Sequence, residues 1–321
     1  MSMPLDPFIG PAAGVGASLL WSFTTLFFTA AGKRLGSSIV NVARIVMAIV
    51  WLGLIHRLLA GVWIPAASGH QVLLLALSGV LGLSLGDWAL FAAFISIGPR
   101  LAALIMTVSP IFAALFGWWA LGETLSGIAW LGMALTLGGV AWVVLERPTQ
   151  STVLFTPHRA RGVLLALIAA AFQAGGYLLS KQGIGHGWLP KEQYLQPQAA
   201  TLIRMFFAGV FLAPMIVWLA ARSRTPHAAG HFAADRSARR AGYFFTLCGS
   251  IVGPTLGVWL SLVACDRAKL GVAQTLISLT PVFILPLVIW IHKERVTRRA
   301  ALGALIAVAG TALLFVPGSA G

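Results

Sequence analysis

Long apolar runs separated by short polar breaks account for most of this chain, and ten of them can be read along its 321 residues. They fall near 12–32, 38–59, 72–95, 101–121, 127–145, 162–182, 198–220, 242–264, 270–291 and 299–316. Each matches the roughly 20 residues that a helix needs to cross a hydrocarbon layer about 30 Å thick. Only helices or closed barrels satisfy their backbone inside lipid, and these runs lack the alternation of barrel strands. The pattern predicts an all-α integral membrane protein with ten transmembrane helices, spans 1 to 10.

The polar interruptions recur. Trp88, Pro110, Glu123 and Gly132 return as Trp259, Pro281, Glu294 and Gly303, each 171 residues later. Gly82, Gly86, Thr107 and Ser109 return in the same register as Gly253, Gly257, Ser278 and Thr280. Two copies of a hydrophobic unit with breaks in corresponding positions is a pattern of secondary transporters. The expected organisation is a first repeat over 1–147, a linker over 148–161 and a second repeat over 162–321. Five spans per copy is an odd number, so the second copy enters the membrane upside down and the repeats are inverted.

Composition agrees: 59% of residues are hydrophobic, 9% are charged and the mean hydropathy is +0.90. Soluble chains carry about a quarter charged residues. The net charge of +14 does not point to nucleic acid, because the cations sit in short loops between apolar runs. Outside the spans, 15 of 20 cations fall in loops 1–2, 3–4, 5–6, 7–8 and 9–10. By the positive-inside rule those loops are cytoplasmic and both termini lie outside. The loops after spans 4 and 9, equivalent in the repeat, differ in charge as inversion requires. Residues 221–241 read as a polar, Arg-rich connection, and 184–197 as either a structured turn or a gate. Cys248 and Cys265 are 17 residues apart on one span, about 25 Å at helical rise, and cannot bond to each other. No metal cluster or cofactor motif is present in the sequence. The first residues carry Asp6 and no cation, which argues against a cleaved signal peptide.

Charges within a bilayer are costly and point to function. Three lie well within spans: Arg44, Asp87 and Arg204. The arginines occupy equivalent places in spans 2 and 7, whereas Val258 stands opposite Asp87. Asp87 is either a proton-coupling site or a partner of an arginine; the arginines either dock an anionic substrate group or serve the architecture. Pro110 and Pro281 free the carbonyls of Met106 and Ile277 and are candidate hinges. Gln274, Thr275 and Ser278 are polar candidates on span 9. Trp21 and Thr25 on span 1, with Gln173 and Tyr177 on span 6, suit an amphipathic ligand. Trp88 and Trp259, duplicated and deep in their spans, are candidates for the same cavity. Glycines on spans 5 and 10 suit close helix packing, within the chain or in a homodimer.

Together these residues resemble the drug/metabolite transporter superfamily, in its ten-helix branch with two EamA-type repeats. The likeness rests on Trp21, Arg44, Arg204, Ser109-Pro110, Thr280-Pro281, Gly122-Glu123-Thr124-Leu125 with Gly132, and Lys293-Glu294-Arg295-Val296 with Gly303 and Gly310. The resemblance implies an inner-membrane carrier with a central cavity, exporting small metabolites or drugs by alternating access. Two departures stand out. Span 1 lacks the acidic residue of the four-helix multidrug relatives, and the loop charges oppose the cytoplasmic termini usual in the family.

The sequence has no nucleotide-binding GxxxxGK[ST] loop, no HExxH, no GxSxG and no paired carboxylates within a span, so an ATP-driven pump or an enzyme is not expected. The expected partners are a small-molecule substrate, the lipid bilayer and protons as a coupling ion. The alternative is a flippase whose arginines bind an anionic lipid headgroup.

Overall fold

A computed structural model describes residues 6–146, 159–187, 190, 193–222, 236–292 and 297–316. Ten helices follow the ten apolar runs. In order they are α1 (Asp6–Leu35), α2 (Ser37–Ala60), α3 (Gly69–Gly98), α4 (Leu101–Leu121) and α5 (Gly127–Glu146). The second half adds α6 (Arg159–Ile184), α7 (Pro197–Arg222), α8 (Arg236–Arg267), α9 (Leu270–Ile277 continued by Thr280–His292) and α10 (Arg298–Leu314). By length and apolar composition eight of these qualify as membrane spans, and α7 and α10 complete the set. Most of the expected linker (its residues 148–158) and of the Arg-rich connection (223–235) lies outside the described residues.

Local sequence sets the helix ends. Gly61 and Gly122 take φ of 74° and 67° and close α2 and α4 in the left-handed conformation that glycine adopts without a Cβ clash. Ser68 and Gln71 form a reciprocal capping box that starts α3. Thr297 caps α10 by accepting a hydrogen bond from the Ala300 N–H.

Packing between the halves is reciprocal. Helix α3 lies against α6, as α8 lies against α1; α2 pairs with α7, α4 with the first part of α9, and α5 with α10. Exchanging first-repeat and second-repeat members leaves this set unchanged, which is the signature of a pseudo-two-fold between inverted copies. In α5 with α10, backbone meets backbone on both helices. A Cβ on Gly139 would stand 2.5 Å from the Ala307 nitrogen and the Gly303 oxygen, and one on Gly310 would stand 2.5 Å from the Thr136 nitrogen. Gly132, Gly139, Gly303 and Gly310 therefore serve contact inside the chain, which is van der Waals packing of the kind that holds helices together in lipid.

Candidate functional site

A central cavity of about 390 Å³ opens between the repeats, bounded by α1–α4 on one side and α6–α9 on the other, with Val140 the sole contribution from α5. Its size falls at the low end of small-molecule pockets. Trp21, Thr25, Arg44, Asp87, Gln173, Tyr177, Arg204, Gln274 and Ser278 all line it, as do Pro110 and Pro281. Trp88 and Trp259 do not. Trp88 is 61% exposed on the outer surface, and Trp259 is half-buried away from the cavity. Their neighbours Asp87 and Val258, equivalent in the repeat, face the cavity instead, and one residue further along a helix is a turn of about 100°. Duplication therefore marks both positions correctly as a pair while the helical phase sends both tryptophans outward.

The two arginines differ in their surroundings. Arg44 Nη2 lies 2.9 Å from Asp87 Oδ2, its Nε donates to Asn41 Oδ1 at 2.9 Å, and its guanidinium approaches the Phe28 ring. Arg204 is 1% exposed and belongs to none of the ion pairs among the described residues. Its Nη1 donates to Ser180 Oγ at 3.3 Å and its guanidinium lies 4.7 Å from the centre of the Tyr177 ring, while Nε has no hydrogen-bond partner. A cation over an aromatic face is stabilised by up to about 2 kcal/mol when desolvated, which offsets only part of the cost of burying a charge. Glycines make this burial geometrically feasible. A Cβ on Gly82 would meet Arg204 Nη2 at 2.8 Å, and one on Gly79 would meet the Arg204 carbonyl oxygen at 2.2 Å.

Backbone irregularities surround these side chains in matched pairs. Gly79–Leu85 in α3 and Ile251–Gly257 in α8 are π-helical, a geometry that recurs at functional sites. Helices α4 and α9 break at Thr107–Val108 and Ser278–Leu279, ahead of the prolines. Pro110 and Pro281 stand in the first turn of the restarted segments, where a missing N–H costs nothing. The breaks thus lie between each proline and the carbonyl four residues before it, where the missing amide loosens the helix. Hydroxyls bond back to the preceding turn in the same way twice: Thr107 Oγ1 donates to the Leu104 oxygen and Ser278 Oγ to the Thr275 oxygen, both at 2.7 Å. Thr280 Oγ1 is within 3.3 Å of both the Ile277 and Ser18 oxygens, whereas its equivalent, the cavity-lining Ser109 Oγ, is buried without a partner.

Outside the cavity lining, the last turn of α6 meets the loops after α4 and α8 in a polar cluster. Lys181 Nζ lies 2.6 Å from Glu123 Oε1 and donates to the Ala268 oxygen at 2.6 Å, while Glu123 Oε2 accepts from the Leu270 N–H at 2.6 Å. The two side chains are 7% and 13% exposed. Beside them, Asp266 accepts hydrogen bonds from His186 at 2.7 Å, from Tyr194 at 2.9 Å and from Arg267 at 3.1 Å. The Tyr194 phenol is pushed up to about 12 by partial burial and by the Asp266 carboxylate, so it remains a donor. The described part of 184–197 is a structured turn: the Leu195 N–H donates to the Ile184 oxygen at 2.7 Å, and Gln71 Nε2 bonds the Gly183 and Gln193 oxygens. The cavity lining itself reaches Phe94 and Ala103, next to the α3–α4 connection.

The sequence signature of the EamA-like transporter family matches twice, over residues 8–145 and 160–316. The chain belongs to the EamA-like transporter family. A solved crystal structure is similar to this transporter over 95% of both chains, with a TM-score of 0.70 at 18% identity, which speaks for the fold alone. No functionally curated protein matches the chain. As a member of a family of membrane transporters, this EamA-like protein is a multi-pass membrane protein acting on small molecules. Sequence reasoning on the transporter passed over much of the apolar lining, Leu83, Leu90, Phe94 and Pro254 among it, as well as Ser109 as a free hydroxyl and the whole Glu123–Lys181 cluster. The available signals were the shared repeat register of Ser109 with Thr280 and the lone cation Lys181 near the end of an apolar run.

Proposed function

We propose that this protein is a secondary active carrier that exports small polar or amphipathic metabolites from the cell by alternating access. The observation that supports this reading best is the cavity itself: mostly apolar, joined by a few polar groups, and walled by equivalent elements of both repeats. Helices broken at matching points beside a cavity at the repeat interface are the expected machinery of such a carrier. The cluster made by Glu123, Lys181, Asp266 and their partners is then the closed gate of one state, and it must part in the other. With the loop charges taken as the guide to orientation, the gated end is external and the cavity addresses the cytoplasm. The resemblance supports a bacterial inner membrane as the setting.

Asp87 remains the candidate for proton coupling. Protonation would remove the charge that neutralises Arg44, and so link cavity electrostatics to pH. Supporting the carrier over a lipid flippase is the position of Arg204, buried among helices at 1% exposure and not turned to the lipid face. Uptake and efflux of a metabolite panel in proteoliposomes tests the reading. Saturable, gradient-driven flux of a small solute is the expected result; scrambling of labelled lipid without any solute flux overturns it in favour of the flippase. A reporter fused to the C-terminus and active only in the cytoplasm would reverse the orientation.

A further inference from the structure

Resting on the carrier reading, we infer that the substrate is a small organic anion carrying one negative charge, whose charged group docks at Arg204. Three charged side chains line the cavity, and Arg44 with Asp87 form a neutral pair at 2.9 Å. Arg204 leaves one uncompensated positive charge. Its equivalent has a carboxylate because Asp87 exists; Val258 stands where the second carboxylate would be. A buried guanidinium with only a hydroxyl and an aromatic face around it, and with Nε unpaired, is an incomplete site. A carboxylate or a sulfonate completes it, since planar guanidinium donors match such groups two bonds at a time. A second negative charge would find no cation, and a cationic substrate would meet repulsion across a low-dielectric space. Most of the remaining wall, Trp21, Leu83, Leu90, Phe94 and Ile277 included, is apolar and selects a largely hydrophobic body, with Thr25, Gln173, Gln274 and Ser278 as neutral polar points. Two-chain lipids exceed a cavity of about 390 Å³, so the anion is a soluble solute.

The test uses the full-length protein in neutral detergent and three probes of nearly one shape: 3-phenylpropanoate, 3-phenylpropanamide and 3-phenylpropylamine. The carboxylate is expected to raise the melting temperature saturably and to bind at least about 30-fold tighter than the amide, as loss of one side of a buried charge pair implies. Arg204→Gln removes that preference, and Arg204→Lys retains part of it. Equal stabilisation by acid and amide, or tighter binding of the amine, overturns the inference; this comparison needs wild-type protein only, so a variant that fails to fold does not shelter it. Displacement of the acid by phosphatidylglycerol added to the micelles overturns it in favour of a lipid headgroup. Flux in proteoliposomes separates the two readings. Transport of amide or amine without acid sinks the charge assignment and keeps the carrier. Saturable acid binding with no flux under any gradient keeps the site and sinks the carrier.

Discussion

Replacing Lys181 with Met should release the gate proposed above. Lys181 and Glu123 are almost wholly buried and 2.6 Å apart, and Lys181 also holds the Ala268 oxygen. Removing one member of a buried ion pair costs about 3–5 kcal/mol, because the other charge stays desolvated. Here the Leu270 N–H still serves Glu123, so the lower figure applies. The penalty falls on the sealed state alone, since parting the gate returns Glu123 to water. About 3 kcal/mol then shifts the balance of states about 100-fold towards opening. Cys265 is a native reporter, fully buried beneath the seal and within electrostatic reach of Lys181 and Arg204. In a Cys248→Ser background it is the single thiol. Its modification by a small maleimide should accelerate by one to two orders of magnitude in the variant. The double change Glu123→Gln with Lys181→Met should accelerate less, because no bare charge is left behind. His186→Ala, whose partner contact to Asp266 is 37% exposed on the histidine side, should change the rate by less than about fivefold. An unchanged Cys265 rate in a Lys181→Met protein that elutes and melts as a folded species would refute the gate.

Other expectations are more compact. Asp87→Asn should abolish uphill, pH-driven transport while leaving substrate exchange, measured in vesicles with and without a proton gradient; unchanged uphill uptake removes Asp87 from coupling. Gly139→Ala should destabilise the detergent-solubilised protein by about 1–3 kcal/mol through backbone overlap with α10, whereas Gly138→Ala, with nothing within 4 Å of its added carbon, should be neutral or gain up to about 1 kcal/mol in helix propensity. Thermal melts of the pair decide this. Tyr194 titrates near 12 in the fold, above the ordinary value of 10, so its contribution is complete below pH 10 and fades as pH rises through 12. Tyr194→Phe should flatten that alkaline loss in a stability–pH series.

Particular residues show what a linear reading can and cannot reach. The span pattern, the inverted duplication and the placing of Arg44, Asp87 and Arg204 follow from period and spacing, because lipid forces the same solution on every apolar run. The helix breaks were marked by Ser109-Pro110 and Thr280-Pro281, and the chain departs from helix just before each proline, where the Thr107 and Ser278 hydroxyls bond carbonyls of the preceding turn. The choice of Asp87 as partner for Arg44 alone depends on how α2, α3 and α7 meet, and no spacing encodes that. The seal joins Glu123 after α4, Lys181 in the last turn of α6 and residues 268–270 between α8 and α9, so no single stretch of sequence displays it. Trp88 and Trp259 show that duplication conveys equivalence without conveying direction.

The interlocked glycines of α5 and α10 constrain how the molecule can move. Where backbone meets backbone there are no flexible side chains to yield, so sliding one helix along the other would drive Gly139 into Ala307 and Gly310 into Thr136. Rotation about the contact is the motion left. Because this pair closes both repeats and contributes only Val140 to the cavity, it is suited, in the carrier proposed above, to be the axle on which the two halves would tilt.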